Sequence, residues 1–342
     1  MQIFHVSISH FRGIDSLEWH VEGRLVCLVG PGDSTKTTVL DAIEFALAPR
    51  WFVQISDADF FQAKTTQPIK IEVTVGEIPD DLLADDKFGL FLRGYRPGEP
   101  IADDPEDGLH PVVTIRFQVK EDLEPSWELV KDSQPDLRSV SWRDREQLGM
   151  ARLGDDVERH LTWSRGSALA RITEKASATG PTLALANRAA NQAILDATLT
   201  ELRVAADQSR EAAKHFGVNT TELRPGLDTQ SVSFGTGAIA LHDNNKVPLR
   251  AVGLGTRRLA GLAIQQVGLG LGAIVLIDEI EYGLEPHRIR RLLKKLASDR
   301  STQVSGEEGE TPPQGQAIMT THSPTAIMAL QVADLRFVKS VN

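Results

Sequence analysis

The stretch that most constrains the fold is residues 28–41, which read LVGPGDSTKTTVLD. It nearly matches the phosphate-binding loop G-x-x-x-x-G-K-[ST], with Gly30, Lys36 and Thr37 in place. Thr35 stands where the second glycine is expected. The apolar run before the loop predicts a buried strand, and the residues after it carry apolar side chains at helical spacing. Strand, loop and helix is the order that a phosphate-binding loop needs.

These residue types fit a bound triphosphate. Backbone N–H groups of the loop and the positive end of the following helix would hold the phosphates. Lys36 would neutralise the β- and γ-phosphates, a hydroxyl of Thr37 or Thr38 would bind Mg²⁺, and Gly32 would give the loop its backbone freedom. We expect Thr35 to replace glycine here, because the residue before the lysine opens the helix and needs right-handed dihedral angles, which threonine can adopt. The alternative is an ordinary glycine-containing turn at a helix start.

Composition sets limits on the class of protein. The chain has 342 residues, of which 41 % are hydrophobic, enough for a sizeable core and for two or three units. Its net charge of −10 does not indicate nucleic-acid binding by the chain as a whole and does not exclude a local basic groove. The single cysteine, Cys27, lies in the apolar run before the loop and is interpreted as a small buried hydrophobe.

Two features predict where the protein resides. The N-terminal residues MQIFHVSISHFRG lack the pattern of a signal peptide. The longest apolar stretch, GLGLGAIVLI, is too short to span a bilayer. We therefore expect a soluble cytoplasmic protein that does not act in a membrane.

The chain changes character along its length. Residues 1–142 contain several alternating segments, such as MQIFHVSISHF and PIKIEVTVGEIP, which predict strands. Residues 143–217 are rich in Ala, Leu and charged residues with helical periodicity, which predicts a helical arm. Residues 218–342 return to strand-like segments and carry three further motifs. The polar stretch 298–316 is expected to form a mobile surface loop, since it has little apolar surface to offset its ordering.

The decisive motif is GAIVLIDEIEYGLEPHR at 272–288. Four apolar residues end in Asp278 and Glu279, the form of a Walker B strand, in which the aspartate reaches Mg²⁺ through water and the glutamate polarises the attacking water. The alternative is an acidic turn after a core strand. A second apolar run, GQAIMTTHSP at 315–324, ends just before His322, which could contact a γ-phosphate or be an ordinary loop histidine.

A glycine-rich segment, LRAVGLGTRRLAGLAIQ at 249–265, precedes the Walker B strand. Gly253 and Gly255 stand before an apolar helical pattern, so backbone N–H groups and a helix N-terminus could approach an anion. One phosphate loop and one such helix start in each chain make sense if two protomers face each other and complete each other's sites.

The order of HFRGI, GPGDSTKTT, GLGTRRLAG, LIDEIEYGLEPHR and TTHSP resembles the ABC-type ATPase heads of the RecF, SMC and Rad50 group. Within that group the chain is most similar to the OLD (overcoming lysogenization defect) family of ATP-dependent nucleases. The resemblance covers nearly the whole chain and implies an α/β P-loop NTPase fold of ABC type, with a mixed β-sheet core and an inserted helical dimerisation arm at about 143–217. Lys36 and Asp278 are separated by 242 positions (278 − 36), which suits a head with a long insertion and is too long for a compact kinase or GTPase.

The resemblance assigns roles position by position. Glu279 becomes the catalytic base and His322 the switch histidine, with Lys36 also catalytic. The Mg²⁺ ligands become Thr37, Asp278 and Gln67, where Gln67 is preferred over Gln62 and Asp59 as the Q-loop residue. The implied ATP-binding residues are Gly30, Pro31, Gly32, Asp33, Ser34, Thr35, Lys36, Thr37, Thr38, Arg12, Gly253, Gly255, Thr256 and Arg257.

Two of these assignments depart from the family pattern or have a plain alternative. By the resemblance, Gly253 to Arg257 form the signature segment of the family. This segment lacks the expected serine, and Arg257 and Arg258 follow its second glycine, which leaves the contact with the partner protomer open. Arg12 could lie beside the nucleotide or be a solvated arginine at a strand end.

The resemblance also implies ATP hydrolysis with Mg²⁺, a homodimer, DNA as a partner and a role in DNA repair or anti-phage defence. OLD proteins carry a C-terminal TOPRIM nuclease domain, for which no room remains after His322, so nuclease activity is expected from a domain in cis or a protein in trans. One alternative is an ATP-gated DNA clamp or scaffold for a separate nuclease. Another is the nucleotide-binding subunit of a transporter, which the HFRG start and the helical arm fit poorly.

Overall fold

The structure is a computed structural model of the chain. It describes residues 1–50, 52–134, 138–154, 157–164, 166–173, 179–197, 200–215, 222–223, 225, 239–269, 272–300 and 315–339. Most of the predicted surface loop at 298–316 lies outside these residues. The same is true of most of 229–243, one of the strand-like segments predicted within 218–342. The described chain divides into two compact units, one formed by Met1–Val157 with Gly253–Asn342 and the other by Glu158–Val252.

The secondary structure follows in chain order. The strands are β1 (Gln2–Phe11), β2 (Ile14–His20), β3 (Leu25–Val29), β4 (Ile69–Gly76), β5 (Arg93–Tyr95), β6 (His110–Val119), β7 (Pro125–Val130), β8 (Arg138–Ser139), β9 (Met150–Leu153), β10 (Ile274–Ile277), β11 (Gln316–Thr320) and β12 (Leu335–Phe337). The helices are α1 (Lys36–Leu47), α2 (Trp142–Gln147), α3 (Val157–His160), α4 (Ala168–Ile172), α5 (Thr179–Asp196), α6 (Thr200–His215), α7 (Leu254–Leu269), α8 (Pro286–Ser298) and α9 (Pro324–Ile327).

Two sheets organise the first unit. Within the described residues, one sheet has seven antiparallel strands in the order β2-β1-β4-β6-β7-β8, with β5 paired to β6. The other has five parallel strands in the order β12-β3-β11-β10-β9. The strand before the phosphate loop was predicted from its apolar run, and the strands at 2–11 and 69–76 from alternation, and the structure confirms all three.

The parallel sheet places the motifs at one edge. Strand β3 precedes the phosphate loop, β10 precedes Asp278, and β11, which lies between them, precedes Thr321. Because the strands are parallel, their carboxyl ends lie side by side, and the residues that follow each strand meet there.

The core lies in layers around α1. The apolar face of this helix, with Leu40 and Ile43 fully buried, packs between the antiparallel sheet and one face of the parallel sheet. The opposite face of the parallel sheet packs against α7 and α8 through residues such as Leu262 and Leu293. Cys27 is fully buried on that second face, as predicted, and burial raises the pKa of its thiol to about 12.

The second unit contains two long helices, α5 and α6, as the helical periodicity predicted. The start of the predicted arm needs correction. Met150–Leu153 was assigned to the arm, whereas the structure places it in the parallel sheet as β9, paired in parallel with β10. The MARL sequence has no strand signature of its own, and the pairing that makes it a strand joins residues more than a hundred positions apart. Among the described residues, no helix has the length and apolar character required to cross a membrane.

Candidate nucleotide site

The phosphate loop runs from β3 into α1 and encloses the Lys36 ammonium. Lys36 is buried, and its Nζ donates to the Pro31 carbonyl at 2.7 Å, to the Ser34 hydroxyl at 3.0 Å and to the Gly30 carbonyl at 3.2 Å. Gly30 must be small, because a Cβ at this position would lie 2.3 Å from the Val338 carbonyl oxygen. Burial lowers the pKa of Lys36, and the nearby carboxylates, Asp278 first among them, raise it in part.

The backbone of this loop corrects one expectation. Thr35 adopts φ +64° and ψ +12°, the left-handed region, and not the right-handed angles we expected. A β-branched residue rarely takes this conformation, which costs of order 1–3 kcal/mol. The second glycine of the usual loop is therefore replaced at a position that does require positive φ. Thr35 is the N-cap of α1 but its side chain caps no N–H group, so the first turn keeps its donors for an anion.

The end of β10 meets the start of α1. The Thr37 hydroxyl lies 3.2 Å from Oδ1 of Asp278, although the two residues are 241 positions apart. Thr320, at the end of β11, joins the same group: its hydroxyl donates to Asp278 Oδ1 at 2.5 Å and accepts the Glu279 N–H at 2.8 Å. Glu279 has a positive φ of 44° and an exposed side chain. Strain of this kind concentrates at functional sites.

An arginine that the sequence reasoning missed holds the other oxygen of the Walker B aspartate. Arg152 of β9 donates from Nη2 to Asp278 Oδ2 at 2.9 Å. The same guanidinium pairs with Glu44 at 3.1 Å and with Asp41, both on α1. Its side chain is only 10 % exposed, so these ion pairs are screened weakly by solvent. Arg152 therefore ties the edge strand of the sheet, the helix after the phosphate loop and the Walker B strand together.

Arg12 extends this network. It pairs with Asp41, donates from Nε to Asp59 at 2.9 Å, and its guanidinium lies 4.9 Å from the Phe11 ring centroid. Burial raises the pKa of Asp59, but hydrogen bonds from Ser56 and Arg12 outweigh this effect and leave the pKa below its usual value. Of the three Q-loop candidates, Gln67, Gln62 and Asp59, it is therefore Asp59 that joins the ion-pair network through Arg12. Gln67 is exposed, and its backbone N–H donates to the Lys64 carbonyl at 3.2 Å.

The glycine-rich segment forms the start of α7 and packs on the turn after the Walker B strand. A Cβ at Gly255 would lie 2.7 Å from the Gly283 carbonyl oxygen, so this glycine serves a close contact within its own chain. A Cβ at Gly253 would meet nothing within 4 Å. The Gly253 carbonyl accepts the Arg257 N–H at 3.0 Å, which makes Gly253 the N-cap of the helix. The Thr256 hydroxyl accepts a hydrogen bond from Arg288 at 3.1 Å.

Arg258 connects α7 to the Walker B turn. Arg258 is buried, and its guanidinium donates to the carbonyl of Tyr282 at 2.5 Å, to that of Glu279 at 2.8 Å and to that of Asp278 at 2.9 Å. These bonds hold the backbone on both sides of the strained Glu279. Arg257 and Arg258 stand next to each other in the sequence, and their residue type does not indicate which of the two is buried.

The loop that carries His322 is fixed by a second acidic residue of the Walker B turn. Glu281 accepts the Thr321 hydroxyl at 2.5 Å and the His322 N–H at 2.7 Å. The His322 side chain is exposed. Glu281 was not predicted as a site residue. It stands two residues after Glu279 in an acidic turn, and this position could have indicated its role.

The donor set fits Mg²⁺ and a nucleotide. No cluster of three or more His, Cys, Asp or Glu side chains that could hold a metal occurs in the part of the chain that the structure describes. Mg²⁺ does not need one, because it is usually bound by one or two carboxylates together with substrate phosphates and water. The Thr37 hydroxyl and the Asp278 carboxylate supply oxygen ligands side by side, next to the uncapped first turn of α1.

The fold and these contacts define a class of protein: the chain is an AAA-type ATPase domain with a P-loop NTPase fold, built like the heads of SMC proteins. More narrowly, it belongs to the family described as "AAA domain, putative AbiEii toxin, Type IV TA system", whose model matches residues 25–329. The predicted fold class is confirmed. A comparison with curated proteins found no match.

Three solved structures are similar to this chain. An SMC head bound to the C-winged helix domain of ScpA shares 13 % identity at a TM-score of 0.51, over 96 % of this chain and 92 % of that one. The SMC head domain from Thermotoga maritima has 13 % identity and a TM-score of 0.46, over 100 % and 96 %. An SMC head with an extended coiled coil and the C-terminal domain of ScpA, derived from Pyrococcus furiosus, has 13 % identity and a TM-score of 0.49, over 96 % and 91 %.

Proposed function

We propose that the protein binds and hydrolyses ATP at the edge of the parallel sheet. The observation that carries the proposal is the contact between Thr37 and Asp278, which brings the residue after the phosphate-loop lysine against the Walker B carboxylate. Two distant motifs that contact each other at the N-terminus of a helix are a stronger sign of a nucleotide site than either motif alone.

Each residue then has a defined role. Lys36 exchanges its loop acceptors for the β- and γ-phosphate oxygens. Thr37 and Asp278 would hold Mg²⁺, which would neutralise charge on the phosphates. Glu279, one residue beyond the metal ligand and exposed at its tip, accepts a proton from the attacking water. Thr320 and Arg258 fix the backbone of Glu279 through its N–H and its carbonyl.

The experiment that tests this assignment separates binding from turnover. Lys36→Ala should abolish ATP binding, because the phosphate charge loses its partner. Glu279→Gln should keep binding and slow hydrolysis by at least about a hundredfold, since general base catalysis contributes roughly 10²–10⁴-fold. ATP affinity and turnover that fall together in Glu279→Gln would overturn the role of Glu279. Binding without any turnover in the unmodified protein would favour the ATP-gated clamp.

We further infer that two protomers complete each site, as the resemblance implies. The start of α7 would cap the γ-phosphate held by the partner's loop. Gly253 gives a cleaner test than Gly255, because a side chain at Gly253 meets open space whereas one at Gly255 would disturb the chain's own packing. Gly253→Asp should even favour the helix as an N-cap, while its charge repels the phosphate. Gly253→Asn is the uncharged control of the same shape.

A mixing series decides the point. Gly253→Asp and Lys36→Ala proteins should each turn over little ATP alone, and together they should regain roughly one working site per mixed dimer. Gly253→Asn should stay active alone. A flat line at background, with protomer exchange shown separately, would refute completion in trans.

The remaining proposals rest on the resemblance to the OLD family. The helices of the second unit would form the dimerisation arm, and they expose Leu185, Leu202 and Val204, which are suited to a contact with a second copy. DNA would be a partner, and a TOPRIM or other nuclease in cis or in trans would be regulated by the ATP-dependent dimer in repair or anti-phage defence. The protein would act in the cytoplasm.

A further inference from the structure

Helix α8 carries a concentration of positive charge that is unusual for this chain. Its sequence, PHRIRRLLKKLAS, has five Lys and Arg and no Asp or Glu, in a protein whose net charge is −10. The helix begins seven residues after Glu279, and Arg288 in its first turn donates to Thr256 of α7. It is thus attached to both the Walker B turn and the glycine-rich segment.

The burial pattern puts this charge on one exposed face. Ile289, Leu293 and Leu296, spaced by four and three residues, are buried in the core. The opposite face is exposed and consists of His287, Arg290, Arg291, Lys294 and Lys295. We call these five residues the basic face. With a rise of about 1.5 Å per residue, it extends over roughly 12 Å of helix.

Among the residues that the structure describes, most of this charge has no acidic partner. Lys295 pairs with Asp299 at 2.5 Å, and Arg288 beside the face pairs with Glu285 at 3.0 Å. Across the described residues, no acidic side chain forms an ion pair with Arg290, Arg291 or Lys294. Like charges this close repel one another, so a free basic face is a feature that a polyanion would stabilise.

We propose that the basic face binds the phosphate backbone of a nucleic-acid duplex without reading its sequence. A duplex presents about one charge per 1.7 Å of its axis, so roughly seven phosphate charges lie within reach of the face. The face has no Phe, Tyr or Trp on which unpaired bases could stack, which disfavours single strands. The apolar side of α8 lies in the core, so the helix does not present its apolar face to a lipid bilayer.

This proposal gives a location to the DNA partner inferred above and does not depend on ATP hydrolysis. The test uses the full chain and a fluorescently labelled 30-base-pair DNA duplex, with binding measured by anisotropy at several salt concentrations. The test variant is Arg290→Gln/Arg291→Gln/Lys294→Gln. The matched control is Lys64→Gln/Lys120→Gln/Lys339→Gln, which removes the same total charge from exposed positions elsewhere.

The unmodified protein should bind the duplex with an affinity that falls steeply with salt. The test variant should bind at least about tenfold more weakly, and the slope of log affinity against log salt should decrease by about 2.7, which is 0.9 for each lost contact. The control should keep the slope. Equal losses in the test and control variants would show a general charge effect and overturn the location. Absence of duplex binding by the unmodified protein would overturn the proposal while leaving ATP binding intact, and preference for an unpaired strand would refute the duplex as the ligand.

Discussion

Thr320→Val is the most informative single change, because one buried hydroxyl serves both acidic residues of the Walker B pair. The side chain is 1 % exposed, donates to Asp278 at 2.5 Å and accepts the Glu279 N–H at 2.8 Å. Valine has nearly the same shape, so the packing stays and only the hydrogen bonds are lost. A hydrogen bond to a charged group contributes about 1.5–3 kcal/mol and a neutral one about 0.5–1.5 kcal/mol. We expect the free energy of unfolding to fall by about 2–4 kcal/mol.

The effect on turnover separates this role from plain stability. Without the hydroxyl, the N–H of Glu279 loses its partner and the strained backbone at φ +44° is free to relax, which moves the carboxylate that we propose as the base. Turnover should fall at least about tenfold while ATP affinity, which depends on the Lys36 loop, is kept. Urea denaturation and steady-state ATPase assays measure the two effects. Thr320→Ser keeps the hydroxyl and should keep turnover, at a cost of about 1 kcal/mol for the lost methyl group. A valine variant with unchanged stability and turnover would refute this account of the site.

Four further changes test other parts of the site. Thr35→Gly removes a left-handed threonine and should raise the free energy of unfolding by about 0.5–1 kcal/mol in denaturant titrations, and a loss would contradict the strain. Gly255→Ala puts a Cβ 2.7 Å from the Gly283 carbonyl oxygen and should cost about 1–3 kcal/mol in the same assay, so an unchanged midpoint would count against this packing. Arg152→Lys keeps the charge but loses the fork that joins three carboxylates, so the thermal midpoint should fall, and an equal midpoint would show that one point charge suffices. Burial lowers the pKa of Lys36, so just below the ordinary lysine pKa of 10.5 the unfolded chain binds more protons than the folded one. The free energy of unfolding, measured relative to that of Lys36→Met, should therefore rise with pH in this alkaline range. A constant or falling difference would contradict the lowered pKa.

The sequence was sufficient for the parts of the site that depend on local order. A strand, a glycine-containing loop and an amphipathic helix follow one another at 25–47, and the apolar run before Asp278 forms the buried strand that its length suggests. These features arise from neighbouring residues, so their pattern is visible along the chain. The order of the motifs then indicated the fold class that the comparisons confirmed.

The parts that were missed depend on contacts between distant segments. Arg152 lies in a four-residue strand whose sequence looks helical, and only its pairing with β10 puts its guanidinium on Asp278. Arg258 differs from Arg257 only in the direction it faces once α7 packs on the Walker B turn. The angles of Thr35 were wrongly predicted, because the residue type gives no sign that the loop forces it into the left-handed region.

The central claim is that the phosphate loop and the end of β10 form one site for a nucleotide and its metal. It is tested most directly by crystallising the protein with Mn²⁺ in place of Mg²⁺ and a non-hydrolysable ATP analogue, and by locating the metal from its anomalous scattering. The account predicts a single strong peak beside the Thr37 hydroxyl and the Asp278 carboxylate, with the analogue's β- and γ-phosphates within hydrogen-bond distance of Lys36 Nζ. A nucleotide bound elsewhere, or a metal peak away from both Thr37 and Asp278, would contradict it.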